Sequence, residues 1–183
     1  MSTTSLRSDH KLIEKVLNAL DTTIVLLEEG KNIPPEILLP TIDFTQNFTG
    51  ICHHGKEEDV LFPALEKAGL PTKMGPIRRM LQEHEITKQL AEKITVAVNS
   101  YLVSRSSNEL INTLKMYNEH VKEHLWKENN RLFMMADARL NYVASDVDTK
   151  LKHVEDSKLN QIGKTRNEYE KLVDDLEKSV SQI

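Results

Sequence analysis

The sequence has a single cysteine, Cys52, in 183 residues, which excludes an intrachain disulfide framework and a cysteine-based zinc finger. No apolar run approaches the ~18 to 20 residues needed to span a bilayer, and the first residues lack the apolar core of a signal peptide. The 24 basic residues do not outnumber the 28 acidic ones, and the net charge of -4 argues against a broad phosphate-binding surface. We therefore predict a soluble, cytoplasmic protein that binds neither nucleic acid nor membranes.

Helix breakers are scarce in the second half of the chain. Pro76 is the last proline and Gly163 is the only glycine after it. Alternating β-branched runs and Asn-Gly or Asp-Gly turns are absent, so the sequence predicts an all-α fold. The apolar periodicity predicts five helices, over about residues 5–29, 35–66, 76–102, 108–137 and 145–179.

The connections between the first four helices are short, at roughly 4 to 10 residues, which favours antiparallel neighbours. We therefore predict an up-down-up-down four-helix bundle over residues 1–140 and an additional C-terminal amphipathic helix in an extension over residues 141–183. The extension is expected to pack on the bundle or to mediate association, either with a second copy in a homodimer or with a protein partner.

Histidines and a carboxylate occupy positions of the apolar faces where aliphatic residues are expected. His10, His84 and His124 each lie on such a face, and Glu128 follows His124 by one turn. Six of the seven histidines fall on the four bundle helices, and each helix carries at least one. Burying unpaired ionisable groups costs roughly several kcal/mol each. Metal ions would offset that cost, whereas a helical scaffold with merely hydrogen-bonded histidines is the alternative.

Pairs with the spacing His-x-x-x-Glu strengthen the metal interpretation, because residues four apart share one helix face. The pairs are His53 with Glu57 and His124 with Glu128. In such a pair the imidazole can bind one ion while the carboxylate reaches a second ion nearby. An overlapping pair, His54 with Glu58, has the same spacing, and the periodicity leaves both registers open.

Four segments together resemble the hemerythrin-like, or HHE cation-binding, family over about residues 6–140. They are Asp9-His10, the His-x-x-x-Glu-Glu segment from Cys52 to Pro63, Glu83-His84-Glu85, and the segment from His124 to Phe133. The resemblance implies an antiparallel four-helix bundle that holds a non-haem di-iron centre. In that family the two ions are bridged by two carboxylates and an oxo or hydroxo group.

The resemblance also implies a set of metal ligands. The terminal imidazoles are His10, His53, His84 and His124, and the bridging carboxylates are Glu57 and Glu128. Alignment on residues 61–63 selects the register with His53 and Glu57, and it leaves His54 and Glu58 beside the ligands or in a pocket.

One position departs from the family pattern. Oxygen-carrying hemerythrins have a second histidine one turn after the one that matches His84, but this chain has Lys88 there. His120 is a candidate fifth imidazole from another helix, with a polar role beside the ligands as the alternative. Tyr117, on the same stripe, is expected in the core or next to the ligands. The departure counts against reversible oxygen carriage and not against metal binding.

A mixed set of imidazoles and carboxylates suits two iron ions, with manganese or zinc as the next candidates. Two glutamates neutralise only part of the charge of two divalent ions, which favours an oxo or hydroxo bridge. We therefore predict a protein that binds, senses or detoxifies a small oxidant, namely dioxygen, nitric oxide or peroxide. The alternative is iron storage, delivery or sensing without catalysis, through a partner.

Overall fold

The computed structural model describes all 183 residues, and all its regular secondary structure is helical, which confirms the all-α prediction. The first rod is α1 (Thr4–Glu28). The second rod runs through α2 (Pro35–Asp43), a π-helical segment (Phe44–His53), α3 (His54–Lys56), a π-helical turn (Glu57–Leu61) and α4 (Phe62–Lys67). The third is α5 (Gly75–Ser104), and the fourth runs through α6 (Asn108–Lys127), a π-helical turn (Glu128–Leu132) and α7 (Phe133–Arg139).

The two five-residue π-helical turns each begin at a glutamate of a His-x-x-x-Glu pair, Glu57 or Glu128. A π turn uses i to i+5 hydrogen bonds and therefore holds more residues than an α turn. Side chains beyond it are displaced from the 3.6-residue periodicity. Accordingly Phe62 and Phe133, each five residues after its glutamate, are both buried. Such turns are frequent at functional sites.

Neighbouring rods pack with opposite chain directions, because rising residue numbers on one rod meet falling numbers on the other. The contacts are Thr3–Asp137 and Leu17–Asn118 for the first and fourth rods, Glu83–His124 and Thr87–His120 for the third and fourth, and Gln46–Thr95 and Glu58–His84 for the second and third.

Two apolar clusters, of 30 and 14 buried residues, form the core. On each of the four rods the predicted metal ligands fall between members of the two clusters. On α1, for example, Leu6 belongs to the smaller cluster, Leu12 to the larger, and His10 lies between them. The fold therefore confines the buried ionisable groups to one layer with apolar packing on both sides.

The C-terminal part is two helices, which corrects the prediction of one continuous helix over residues 145–179. After a 3-10 turn (Asn141–Val143), α8 (Ala144–Ile162) ends at Gly163, whose φ of 78° lies in the left-handed region. A capping box between Thr165 and Glu168 then starts α9 (Arg166–Val180).

Both C-terminal helices pack on the bundle. Val147 and Leu151 of α8 join the smaller apolar cluster, while Tyr169 and Val173 of α9 join the larger one. No helix combines the length and the low charge that crossing a membrane requires.

Candidate metal centre

The six predicted ligands converge on one buried site, and none is more than 4% exposed. Their donor atoms fall into two groups of four, within each of which all atoms lie within 4.8 Å of one another. One group is His10, His53, Glu57 and Glu128, and the other is Glu57, His84, His124 and Glu128. Each group could hold a cation, and Glu57 and Glu128 belong to both groups.

The four histidines direct the same ring atom, Nε2, towards the centre of the site. The Nε2 atom of His10 lies 3.2 Å from Glu128 and 3.1 Å from that of His53, the Nε2 atom of His84 lies 3.2 Å from Glu57, and that of His124 lies 3.4 Å from Glu128. Nitrogen and carboxylate lone pairs from four rods therefore face one small volume.

The opposite ring atom, Nδ1, is held by an oxygen outside the site in every case. The acceptors are Asn129 for His10 at 2.9 Å, Asp9 for His53 at 3.1 Å, Glu58 for His84 at 2.7 Å, and Glu83 for His124 at 3.0 Å. Because an oxygen acceptor keeps the proton on Nδ1, the Nε2 lone pair can face a metal ion. An outer hydrogen bond of this kind accompanies most metal-binding histidines in proteins.

Several polar atoms of the site lack a hydrogen-bond partner. These atoms are both carboxylate oxygens of Glu57, both of Glu128, and Nε2 of His84 and of His124. Buried polar atoms without partners are uncommon and costly, and carboxylates are the most costly of them. Since these same atoms are suitable cation ligands, the residues present fit the metal ions that the hemerythrin-like pattern implies.

The charges of the site offset one another when no metal is bound. Burial alone would lower the pKa of His84, but the nearby carboxylates of Glu128, Glu57 and Glu58 raise that pKa well above the ordinary value. Burial alone would raise the pKa of Glu128, but His124, His10 and His84 hold it well below the ordinary value. A protonated His84 thus compensates the charge of Glu128, and a cation would replace that proton.

His54 and Glu58, the overlapping pair, lie at the edge of the site. The ring of His54 stacks on that of His84 with 3.8 Å between centroids, and its donor atom lies near those of His84 and His124. Burial, together with the neighbouring His84 and His124, lowers the pKa of His54 well below the ordinary value, so the ring is neutral. Glu58 binds the outer nitrogen of His84 and does not join either group of four.

His120 and Tyr117 are not brought into the ligand groups. The His120 Nε2 lies 3.0 Å from the backbone oxygen of Glu83 and 3.1 Å from the hydroxyl of Thr87. Tyr117 is buried in the larger apolar cluster, and its hydroxyl has no hydrogen-bond partner. Burial raises the pKa of this phenol above its ordinary value.

Cys52 and Lys88 also lie outside the ligand groups. The thiol of Cys52 is buried in the larger apolar cluster, and burial raises its pKa to about 12, so it is a neutral, apolar side chain. Lys88, one turn after His84, is exposed.

A groove between the second rod and α5 connects the site with solvent. Its cavity of about 530 Å³ reaches His54 and His84 at the inner end, and Glu58 and Lys88 also line it. Most of the residues that line it are polar, and Gly50 contributes no side chain to it. A small molecule can therefore approach the edge of the metal site without displacing the apolar core.

The sequence patterns did not identify the roles of three residues of the site, Asp9, Glu83 and Asn129. Their side chains bind Nδ1 of His53, His124 and His10, respectively. Burial alone would raise the pKa of Glu83, but hydrogen bonds from His124, Lys127 and Arg79 lower it to about 2. Burial opposes ionisation of Asp9 as well, yet the hydrogen bond from His53 and nearby cations keep its pKa well below the ordinary value. Asp9 and Glu83 each directly precede a candidate histidine, which was the available signal.

Comparison with known proteins gives one family. The Hemerythrin HHE cation binding domain matches residues 1–136, which cover all the predicted ligands. No curated protein and no solved structure matches the chain. The geometry of the buried site and the match over most of the chain agree, and the chain belongs to the hemerythrin HHE cation-binding domain family.

Proposed function

We propose that this protein holds two iron ions and uses them to bind, sense or detoxify a small oxidant, which is dioxygen, nitric oxide or peroxide. The observation that supports this proposal is the pair of four-residue ligand groups that share Glu57 and Glu128. In the proposal His10 and His53 hold one ion, His84 and His124 hold the other, and the two glutamates bridge them. Iron ranks before manganese and zinc because the set mixes imidazole and carboxylate without thiolate.

When bound, two iron ions would supply redox chemistry and coordination positions that the protein does not fill. The residues of the chain supply the surroundings. The groove admits the small molecule, and the neutral ring of His54 lines it beside His84, where it is a candidate for proton transfer. Glu58 keeps the proton of His84 on Nδ1.

The proposal includes the domain division and the arrangement of the rods. Residues 1–140 would form an up-down-up-down four-helix bundle, which the opposite chain directions of three rod pairs support. Residues 141–183 would form an extension, in agreement with a family match that ends at residue 136. The cytoplasmic location and the contact of the extension with a second copy or a protein partner stay predictions.

The test is metal analysis and Mössbauer spectroscopy of protein loaded anaerobically with ferrous ions. We expect two iron ions per chain, magnetically coupled after oxidation. Substituting His124→Ala should remove or halve the iron, because His124 belongs to one ligand group only. Absence of a coupled pair in the loaded wild-type protein would overturn the proposal.

A second candidate function is iron storage, delivery or sensing without turnover. The packing of α8 and α9 on the bundle favours it, because these helices offer a surface, separate from the groove, to which a partner protein can bind. The two functions separate when dioxygen, nitric oxide or peroxide is added to the reduced, iron-loaded protein. A change in the near-ultraviolet and visible bands supports the first function. Iron-dependent stability without any spectral response supports the second.

A further inference from the structure

Four buried or half-buried charges form a closed ring between the bundle and the C-terminal helices. The bundle contributes Asp9 from α1 and Lys56 from α3, and the extension contributes Glu155 from α8 and Arg166 at the start of α9. Around the ring the distances are 2.6 Å from Lys56 to Asp9, 2.5 Å from Lys56 to Glu155, 3.1 Å from Arg166 to Glu155, and 2.7 Å from Arg166 to Asp9. Cations and anions alternate, so every charge has two opposite neighbours.

The burial of the ring makes these contacts consequential. Asp9 and Lys56 are both 0% exposed, and a lysine so deeply buried is rare unless it is paired. Interactions between buried charges are screened by solvent much less than those at the surface. The extension therefore supplies an anion that Lys56 needs and a cation that Asp9 needs.

Asp9 connects the ring with the metal centre. Its Oδ2 accepts a hydrogen bond from Nδ1 of His53 at 3.1 Å and also contacts Lys56, while its Oδ1 accepts from Arg166 at 2.7 Å. With both oxygens held, the carboxylate is fixed in one orientation. The ring of His53 is fixed in turn, with Nε2 towards the other ligands.

We infer that the C-terminal helices help to form the metal centre. Arg166 and Glu155 act as positioning residues, because they orient Asp9 and Asp9 in turn orients His53. The inference rests on the proposed function, since it concerns the binding of iron at the group that contains His53. Both residues lie beyond the 1–136 segment that the family match covers. This chain thus adds to the family's metal site a support drawn from its own extension.

The test compares Arg166→Met with Lys15→Met. The first change keeps an unbranched apolar side chain but removes the cation from Asp9. The second removes a different ion pair between α1 and α9, because Lys15 contacts Asp174 and Glu177 at the surface and does not touch Asp9. Arg166→Lys is the conservative variant, and Glu155→Gln is a second perturbation of the ring.

Two measurements report on the metal centre itself and not only on the stability of the fold. The first is the dissociation constant for each ferrous ion, obtained by competition with a chelator. Removing a residue that holds a metal-binding histidine typically costs 10 to 100-fold in affinity, and we expect a loss of about 10-fold for one ion in Arg166→Met. The second is the nuclear magnetic resonance signal of the His53 Nδ1 proton in the metal-free protein, which should broaden by faster solvent exchange.

Lys15→Met should match the wild-type protein in both measurements, Arg166→Lys should recover part of the affinity, and Glu155→Gln should resemble Arg166→Met. Wild-type affinity together with a sharp His53 signal in Arg166→Met and Glu155→Gln would overturn the inference. Equal losses in Lys15→Met would overturn it as well, because they would trace to general packing of α9. If wild-type protein takes up no iron pair, the proposed function fails, and the His53 signal alone then decides whether the extension positions this ring.

Discussion

Glu128→Gln is the substitution that separates a shared ligand from a ligand of one ion. Glu128 belongs to both groups of four, whereas His10 belongs to one. Glutamine keeps nearly the same volume but removes the charge needed to contact two cations. Glu128→Gln should therefore weaken both ions, while His10→Ala should weaken only one.

The size of the effect follows from ligand linkage. An ion present at 100 times its dissociation constant stabilises the fold by about 2.7 kcal/mol, so two ions contribute roughly 5 kcal/mol. For a chain of this size 1 kcal/mol shifts the melting temperature by roughly 2 to 4 °C. Loading with iron should thus raise the melting temperature of the wild-type protein by about 10 to 20 °C. The rise should be roughly half of that in His10→Ala and close to zero in Glu128→Gln.

The assay is anaerobic thermal unfolding followed by circular dichroism, with and without ferrous ions, combined with metal analysis. Each variant is compared with its own metal-free form, so a general change in stability does not enter the comparison. Glu123→Gln is the matched control, because Glu123 lies on the same rod but is exposed and pairs only with Lys127. If Glu128→Gln keeps two ions and the full thermal shift, Glu128 does not bridge and the reasoning is refuted.

Other consequences of the structure can be tested on the metal-free protein. Lys56→Met removes one of the two cations that Asp9 and Glu155 contact in a buried site, and it should lower the free energy of unfolding by about 3 to 5 kcal/mol in a urea titration; a loss below 1 kcal/mol would contradict the ring. Cys52, whose pKa is raised to about 12, should stay unmodified by a disulfide reagent at pH 8 until the protein is unfolded. Gly163→Ala should cost about 1 kcal/mol by the same titration, because φ is 78° there. The pKa of Glu83 is lowered from 4.5 to about 2, so its contribution to stability is complete above pH 4.5 and is lost as the pH falls towards 2. In Glu83→Gln the free energy of unfolding should therefore depend less on pH between 4.5 and 2.

Local features of the sequence were sufficient to predict the helices of the bundle. Gly30, Pro35 and Pro76 mark helix boundaries directly, and α1 and α5 begin and end close to the expected residues. The C-terminal break was less evident, because Gly163 stands inside a continuous amphipathic pattern. Only the left-handed backbone at Gly163 and the capping box at Thr165 divide that pattern into two helices.

The periodicity of the sequence could not decide whether His53 or His54 faces the site, and the reason is structural. His53 and His54 both lie next to π-helical backbone, since one segment ends at His53 and the next begins at Glu57. A 3.6-residue repeat does not describe such backbone, so counting along the face cannot decide which histidine points inward. The family pattern supplied the choice of His53 and Glu57, and the structure places those two beside His10 and Glu128.

The outer support of the histidines is the part for which the local signal points to the wrong histidine. Asp9 adjoins His10 in the sequence, which suggests that the two act together, yet its carboxylate holds His53 from the second rod. Its other partner, Arg166, is 157 positions away at the start of α9. Such a contact depends on how α9 packs against α1, and this packing depends in turn on the break at Gly163 that separates α9 from α8. The residues that hold a metal ligand in place are therefore set by tertiary structure, even where the ligand itself is visible in the sequence.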